Sequence, residues 1–402
     1  MEKGVKFPEG LEYLLIERAL GRETAEKARD GKLSQKELSE ITTAMLQLSD
    51  WFNGLAPQPA KNYMESKWHR AAYFLYFLPA NVIKARTVVA ELAGTFCGMD
   101  SISALDVGSG PGSLSLGLLD FVARETKIRK LKLTAVDASR EALVDWRFLI
   151  EGYRDALVAE GIPMEIATHT TRIDITTAAV QEGPWDVIFF GDTINELFRD
   201  KPTAVADRAR LIARYADNLA DGGSVVIIEP ALKVTTRALH EVRDLLAREH
   251  GFHIYAPCVA GKSCPMMDTG KERDWCHTGA IWARPKIVQR IDQLADRKKL
   301  ILKFSYCVAR RREEYPVQAE PGETAFRLTG DIIAEKGKFH GLFCGLPGCA
   351  KMTLLARDVN ENTAEFPELC RGDIVAIDTW EERGDGLRLT GESKIRLLRK
   401  FS

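Results

Sequence analysis

The chain has 402 residues, 45% of them hydrophobic and 28% charged, with a formal net charge of −1. That length allows two or three domains with sizeable cores, and the balanced charge argues against a non-specific polyanion binder while leaving room for a local basic face. The start, MEKGVKFPEGLEYLL, lacks a secretory pattern and no apolar run approaches membrane-spanning length, so a cytoplasmic protein is expected, its eight cysteines being thiols or metal ligands rather than disulfides.

Residues 1–96 form a helical lead-in. Apolar residues recur every three or four positions, turns fall at Gly21, Gly31 and the proline stretch Ala56 to Ala60, and Ser34 with Glu37 three positions on signals a helix start. The expected role is to cover an edge or face of the sheet that follows. Trp68, His69, Arg70, Tyr73, Phe74, Tyr76 and Phe77 crowd the stretch Lys67 to Leu92. A packed amphipathic helix accounts for that stripe better than an RNA-stacking surface.

Residues 97–312 alternate strands and helices, as a doubly wound parallel sheet requires. The stretch ALDVGSGPGSLSLGLLDF, Ala104 to Phe121, is an apolar strand closed by Asp106, a turn through Gly108, Gly110 and Gly112, and a helix with leucines at 114, 118 and 119. Glycines allow positive φ and close backbone approach to a ligand, and the helix N-terminus adds free N–H donors. The G-x-G-x-G spacing differs from the G-x-G-x-x-G of dinucleotide folds, and a carboxylate two residues before it would repel a pyrophosphate. It suits S-adenosylmethionine, whose methionine end carries an ammonium and a sulfonium. Asp137, at the tip of the next strand, stands where two ribose hydroxyls would need an acceptor. A glycine turn with no ligand is the plainer alternative, and the acid, the spacing and Asp137 together weigh against it.

Further elements are expected at Arg140 to Ala159 (helix), Met164 to Thr168 (strand), Trp185 to Phe190 (central strand) and Thr203 to Leu219 (helix). Ser224 to Ile228 (strand), Lys233 to His250 (helix) and Phe252 to Ala256 (strand) follow. The ligand crevice of such a sheet lies at the carboxyl ends of its strands, where Asp106, Asp137, Asp192 and Glu229 fall, and Asp192 joins the expected cofactor contacts. In the loop Gly191 to Leu197, Asn195 and Glu196 are candidates to bind or deprotonate a target, or else to cap a helix or touch the cofactor. The loop holds neither the cysteine of cytosine-C5 enzymes nor the Asn/Asp-Pro-Pro-aromatic motif of amine methylation, so the catalytic residues are not assigned.

The loop 256–278 carries Cys258, Cys264 and Cys276. Their spacing is wider than paired zinc knuckles, so a 4Fe–4S cluster, which takes four corner ligands, is expected ahead of zinc. Cys344 and Cys349, in GLFCGLPGC, are the candidates for the fourth ligand. Cys97, Cys307 and Cys370 have apolar neighbours and are expected as core thiols, and His277 as a solvated loop residue. Residues 313–402 are short β-rich runs broken by glycine turns, a small β-barrel-like module of the oligonucleotide-binding type. Basic residues gather at Arg297 to Lys299, Arg310 to Arg312 and Lys394 to Lys400; surface solvation explains any one cluster, and three beside a β-module suggest RNA contact.

The order RAAYFLYFLPAN, ALDVGSGPG, DVIFFGDTINEL, IIEPAL, APCVAGKSCP, DWCHT and KFSYCVARR resembles the methyltransferase-like proteins of the small ribosomal subunit, found in bacteria and as mitochondrial assembly factors. The resemblance covers nearly the whole chain. It implies a class I methyltransferase fold, S-adenosylmethionine at the glycine loop, an iron–sulfur cluster on Cys258, Cys264 and Cys276 with Cys344 as the best fourth ligand, and association with small-subunit rRNA. Two functions fit: an rRNA methyltransferase, or a non-catalytic iron–sulfur RNA-binding assembly factor that keeps the fold. Oligomeric state is not legible.

Overall fold

The computed structural model describes residues 4–29, 33–57, 63–178, 182–259, 263–268 and 274–401. Gly31, residues 58–60 of the proline stretch and residues 260–262 and 269–273 of the cysteine loop lie outside the described residues. Two compact units emerge, one of residues 1–178 with 280–302 and the other of 179–279 with 303–402. Sequence boundaries at 96/97 and 312/313 do not separate them, because the helical lead-in packs with the first half of the α/β region.

In the first unit, Ser34 caps the helix Gln35–Phe52 through a reciprocal box with Glu37, as expected. The aromatic stretch is helix Lys67–Ala72, a π turn Tyr73–Phe77 and helix Leu78–Ala90. Pro79 has no N–H to give to the turn before it, which favours the widened turn there. Phe74, Leu75 and Tyr76 are buried, so this stripe is core. Helix Leu78–Ala90 meets helix Ser113–Glu125 backbone to backbone at Gly117, where a Cβ would stand 2.6 Å from the Ala85 Cβ and 2.8 Å from Arg86 N and Val82 O. Buried Asp145, on helix Arg140–Ala159, accepts from both Arg18 and Arg70 at 2.6 Å and so ties the lead-in to the α/β region. Both guanidiniums offset the cost of burying that carboxylate.

Strands Ser101–Val107, Lys130–Asp137 and Glu165–Arg172 run parallel, with Val107 opposite Val136 and Asp137 opposite Arg172. Helix Arg140–Ala159 matches its expected bounds, and Ser139 accepts from Ala142 N at its start. Elements that the sequence reading did not name include Val5–Lys6, which pairs in parallel with Trp282 and Ala283, and Gly4 is needed because a Cβ there would meet Ile281 O at 2.6 Å.

In the second unit, Trp185–Gly191 and Leu219–Pro230 are parallel. The latter begins five residues ahead of Ser224, because Gly222 (φ +80°) and Gly223 let the chain bulge within the strand rather than end at a turn. Residues of Ile301–Arg310 run antiparallel beside it, from Ser224 opposite Arg310 to Pro230 opposite Phe304, and His253–Ala256 joins their far side. Helices Ala204–Ala216 and Lys233–Glu249 connect these strands.

The β-rich tail forms a separate eight-stranded sheet around Phe326, Phe343, Met352, Leu354, Phe366 and Val375. Its strand path is open from Glu381–Arg383 to Ile395–Arg399, so pairing among the described residues does not close the barrel expected from spacing. The chain has the class I methyltransferase-like α/β fold with this β-rich addition. Among the described residues no helix is long and apolar enough to cross a membrane.

Gly117→Val is expected to lower unfolding free energy by about 3 kcal/mol, since the clash is with backbone that cannot give way. Urea titration checks this, and an unchanged midpoint would contradict the helix contact.

Candidate functional site

The glycine loop is built by strand Ser101–Val107 ending against its neighbour: Gly108 N and Ser109 N both donate to Val136 O, at 2.8 and 3.1 Å. The backbone then turns through Gly108, Gly110 and Gly112 at φ +67°, +51° and +98°. The three glycines have different work. A Cβ on Gly112 would strike the Trp146 ring at 2.5 Å, so that glycine serves packing, whereas a Cβ on Gly110 meets nothing within 4 Å and the loop is open there. Gly110 N donates to Asp137 Oδ2 at 2.9 Å and Ser139 N to Asp137 Oδ1 at 2.8 Å, which fixes that carboxylate at the strand tip with lone pairs to spare.

Asp106 is 2% exposed. Its Oδ2 accepts from Ser115 N at 3.2 Å and Ser115 Oγ at 2.6 Å, and Trp146 Nε1 donates to the same Ser115 Oγ at 3.0 Å. Burial pushes the Asp106 pKa up to about 7, against the pull of the Ser115 donors, and the nearby Asp137 charge adds to the rise. Asp106 therefore sits beneath the loop as a buried, proton-sensitive source of negative potential.

In the second unit Asp192 follows strand Trp185–Gly191 in the left-handed region, φ +51°, with its N–H given to Ile228 O at 2.8 Å. Glu229, 1% exposed, collects Ile194 N at 3.0 Å, Asn195 N at 3.3 Å and the Asn195 side-chain amide. Burial raises its pKa to about 8, with Asp192 adding to the rise and the three donors opposing it. Asn195, one catalytic candidate, thus has its amide occupied by Glu229, while its Oδ1 accepts from Arg199 at 3.1 Å. Glu196, the other, is exposed, 3.9 Å from Arg199. Asn195 is thus engaged on both sides of its amide, and Glu196 lies at the surface.

The cysteine loop converges with the β-rich sheet. Cys258 follows strand His253–Ala256, and Cys264 N donates to Asp244 Oδ2 at 3.2 Å ahead of the short helix Pro265–Asp268. The returning arm is pinned by Trp275 Nε1 to Ala231 O at 3.0 Å and Arg237 Nη1 to Asp274 O at 2.9 Å. The Cys276 thiol then sits within electrostatic range of Cys344, Cys258 and Cys264 together. Burial raises all three loop thiols, Cys264 to about 12. Cys344 is raised first by a hydrogen bond with Cys349 and then by burial. A cleft of about 500 Å³, counting space open to solvent, is lined by Cys258, Cys276 and Cys344 with His240, Thr278 and Arg327.

Two buried guanidiniums face these thiols. Arg243 is hydrogen-bonded to Cys258, and Arg327, whose Nη1 donates to Pro257 O at 3.1 Å, draws the Cys258 and Cys276 pKa values down. Both are 5% exposed or less. Among the described residues, His240 Nε2, His277 Nδ1 and Thr278 Oγ1 are enclosed at this cleft without a hydrogen-bond partner. No three His, Cys, Asp or Glu side chains among the described residues converge as one metal ion requires.

Several expectations need correction. His277 is not a solvated residue: its Nε2 accepts from Arg371 Nη1 at 2.9 Å, and burial with the Arg371 charge lowers its pKa. Cys97 and Cys370 are exposed, because Phe96 and Leu369 take the inward positions beside them. Of these three, Cys307 is the buried one, and it lies near Cys258 and Cys264. Within two of the basic clusters some members have partners in the fold: Arg310 is buried on Gly222 O and Glu314, while the exposed Arg312 and Arg396 pair with Asp221 and Glu323. Arg243 and His240 went unnoticed in sequence, although a basic pair beside the apolar stripe Leu239, Val242 and Leu246 was the available signal.

Asp106 and Glu229 keep protons in the folded chain that the unfolded chain releases near pH 4. Unfolding free energy should therefore fall as pH rises from about 5 to about 7, by up to about 1.4 kcal/mol per pH unit for each group. Asp106→Asn should flatten that decline in urea titrations at several pH values. An unchanged slope would contradict the protonated, buried carboxylate.

Among known proteins, a family model described as mitochondrial small ribosomal subunit Rsm22 matches residues 67–355, well over half of the chain. No curated protein matches. Among solved structures, the plantazolicin methyltransferase BpumL with SAH is 13% identical, covering 69% of this chain and 99% of its own, with a TM-score of 0.34. A methyltransferase from Pyrococcus furiosus is 19% identical over 42% of this chain and 73% of its own, TM-score 0.29. The small RNA methyltransferase HEN1 is 12% identical over 57% and 26%, TM-score 0.35. Similarity this distant carries nothing about chemistry. The match over residues 67–355 does carry a conclusion: the chain belongs to the Rsm22 family of the mitochondrial small ribosomal subunit.

Proposed function

We propose that this protein binds S-adenosylmethionine at the glycine loop and works on or with small-subunit rRNA during ribosome assembly. The observation that carries the cofactor reading is the open Gly110 turn set between two carboxylates, Asp106 beneath and Asp137 at the rim. A negative cradle favours a cationic ammonium and sulfonium and disfavours a diphosphate. Asp137 would take the ribose hydroxyls, and Gly108 and Gly110 would let the backbone approach the donor. Bound there, the donor supplies a methyl group for in-line displacement. The chain's own part is alignment and exclusion of water. With Asn195 occupied by Glu229, no residue is assigned as a base, and the reading stands for cofactor binding ahead of turnover.

Cys258, Cys264, Cys276 and Cys344 are proposed to hold a 4Fe–4S cluster. Support comes from Cys276 lying among the other three, from the orphaned polar atoms His240 Nε2, His277 Nδ1 and Thr278 Oγ1, and from Arg243 and Arg327, whose charge would offset an anionic thiolate-bound cluster. The group would supply a structural staple between the cysteine loop and the hairpin of Cys344. All eight cysteines are free thiols, in keeping with a reducing, cytoplasmic setting in this reading.

Anaerobically purified protein should be brown, carry iron and sulfide in equal amounts, and lose both in Cys276→Ser. Colourless protein with one equivalent of zinc would replace the cluster by zinc. Labelled-methyl transfer to small-subunit rRNA from a deletion strain separates the two functions: incorporation lost in Asp137→Ala supports the enzyme. Subunit binding without incorporation supports the non-catalytic factor, and absence of subunit binding contradicts both.

A further inference from the structure

Beside the four thiols stands a fifth, Cys349, that the cluster reading does not use. Cys344 and Cys349 lie directly opposite each other on the antiparallel strands Lys338–Gly345 and Gly348–Leu355, joined by a two-residue turn, Leu346 and Pro347. Gly345 and Gly348 close that turn, and Gly348 takes φ +119°. In a two-residue hairpin the closing pair exchanges the ladder hydrogen bonds, which makes the next pair the close, non-bonded one. Its Cα atoms stand about 4.5 Å apart, inside the range of about 4.4–6.8 Å that disulfides span.

Directly opposite on neighbouring strands, the two side chains stand on the same face of the hairpin. Strand Thr324–Leu328 places Arg327 opposite Cys344, so Arg327, Cys344 and Cys349 line one face of the sheet in a row. Cys344 and Arg327 both border the cleft with Cys258 and Cys276. Neither hairpin cysteine is fully buried and Leu346 at the tip is 74% exposed, so a small reagent can reach the pair.

We propose that Cys344 and Cys349 form a reversible cross-strand disulfide, which withdraws the Cys344 sulfur from the thiol cleft when the surroundings become oxidising. The oxidant is a small-molecule disulfide. One protein thiol, as its thiolate, attacks a sulfur of that disulfide and expels one thiolate, leaving a mixed disulfide. The second protein thiol gives up its proton, attacks the protein sulfur of the mixed bond and expels the other thiolate. Two protein thiols are oxidised to one S–S bond, the small disulfide is reduced to two thiols, and the two protons end on those thiols. Loss of iron from the cleft is the consequence; that consequence rests on the cluster reading, whereas formation of the bond does not.

Full-length protein purified anaerobically is equilibrated across ratios of reduced to oxidised glutathione. Free thiols are then trapped by alkylation, peptides mapped by mass spectrometry and iron counted in the same samples. Residues 344 and 349 should lose alkylation together and appear as one species lighter by two hydrogens, with iron lost over the same ratios. In Cys349→Ser the cross-link is absent and iron is retained at ratios that strip the wild-type chain. Alkylation of both thiols at ratios that already modify exposed Cys97 and Cys370 would overturn the proposal. A disulfide formed with iron retained would overturn the withdrawal of Cys344. A disulfide formed in protein that never held iron would overturn the cluster reading and leave the bond itself established.

Discussion

A carboxylate buried where a strand meets a glycine turn is costly, and much of the first unit is arranged around that cost. Among the described residues Asp106 is in no ion pair; it is held by Ser115 from the first turn of the next helix, and Ser115 is held in turn by Trp146 from the helix after that. Gly112 exists to let the Trp146 ring lie against the turn. A hydrogen-bonded but unpaired acid pushed to about pKa 7 is a standing preference for positive charge at the loop above it.

The second unit answers the opposite problem. Thiols brought together away from bulk water resist ionisation, and Cys276, with three others around it, is raised well above the ordinary thiol range. Arg243 and Arg327 pull the other way. Positive charge buried beside clustered thiols is hard to account for by packing alone, because a buried guanidinium costs more than an apolar side chain of its size. It is intelligible where those thiols become anionic ligands. Glu229 is a second buried acid of this kind: three donors from Ile194 and Asn195 converge on it, yet burial and Asp192 still raise its pKa to about 8.

The sequence was informative wherever the determinant is local. Ser34 with Glu37, the helical stretch Arg140 to Ala159 and the apolar run from Trp185 gave elements close to those observed, because caps and periodicity act within a few residues. The glycine loop and the three loop cysteines were legible for the same reason. What was hidden depends on partners far along the chain. Nothing near Asn195 announces that its amide belongs to Glu229, thirty-four residues on. Nothing beside Arg310 in sequence announces that it, unlike exposed Arg312, is buried against Gly222, eighty-eight residues away. Apolar neighbours misplaced Cys97 and Cys370, since a neighbour facing inward leaves the next residue facing out.

The central claim is that the acid under the loop selects a cationic methyl donor, and it has a thermodynamic signature. A bound ammonium stabilises the ionised form of Asp106, so binding below its pKa of about 7 must release a proton. Calorimetry with S-adenosylmethionine and its demethylated product, in two buffers of different ionisation enthalpy, should show proton release that disappears in Asp106→Asn. Heat with NAD and none with either the donor or its product would contradict the account.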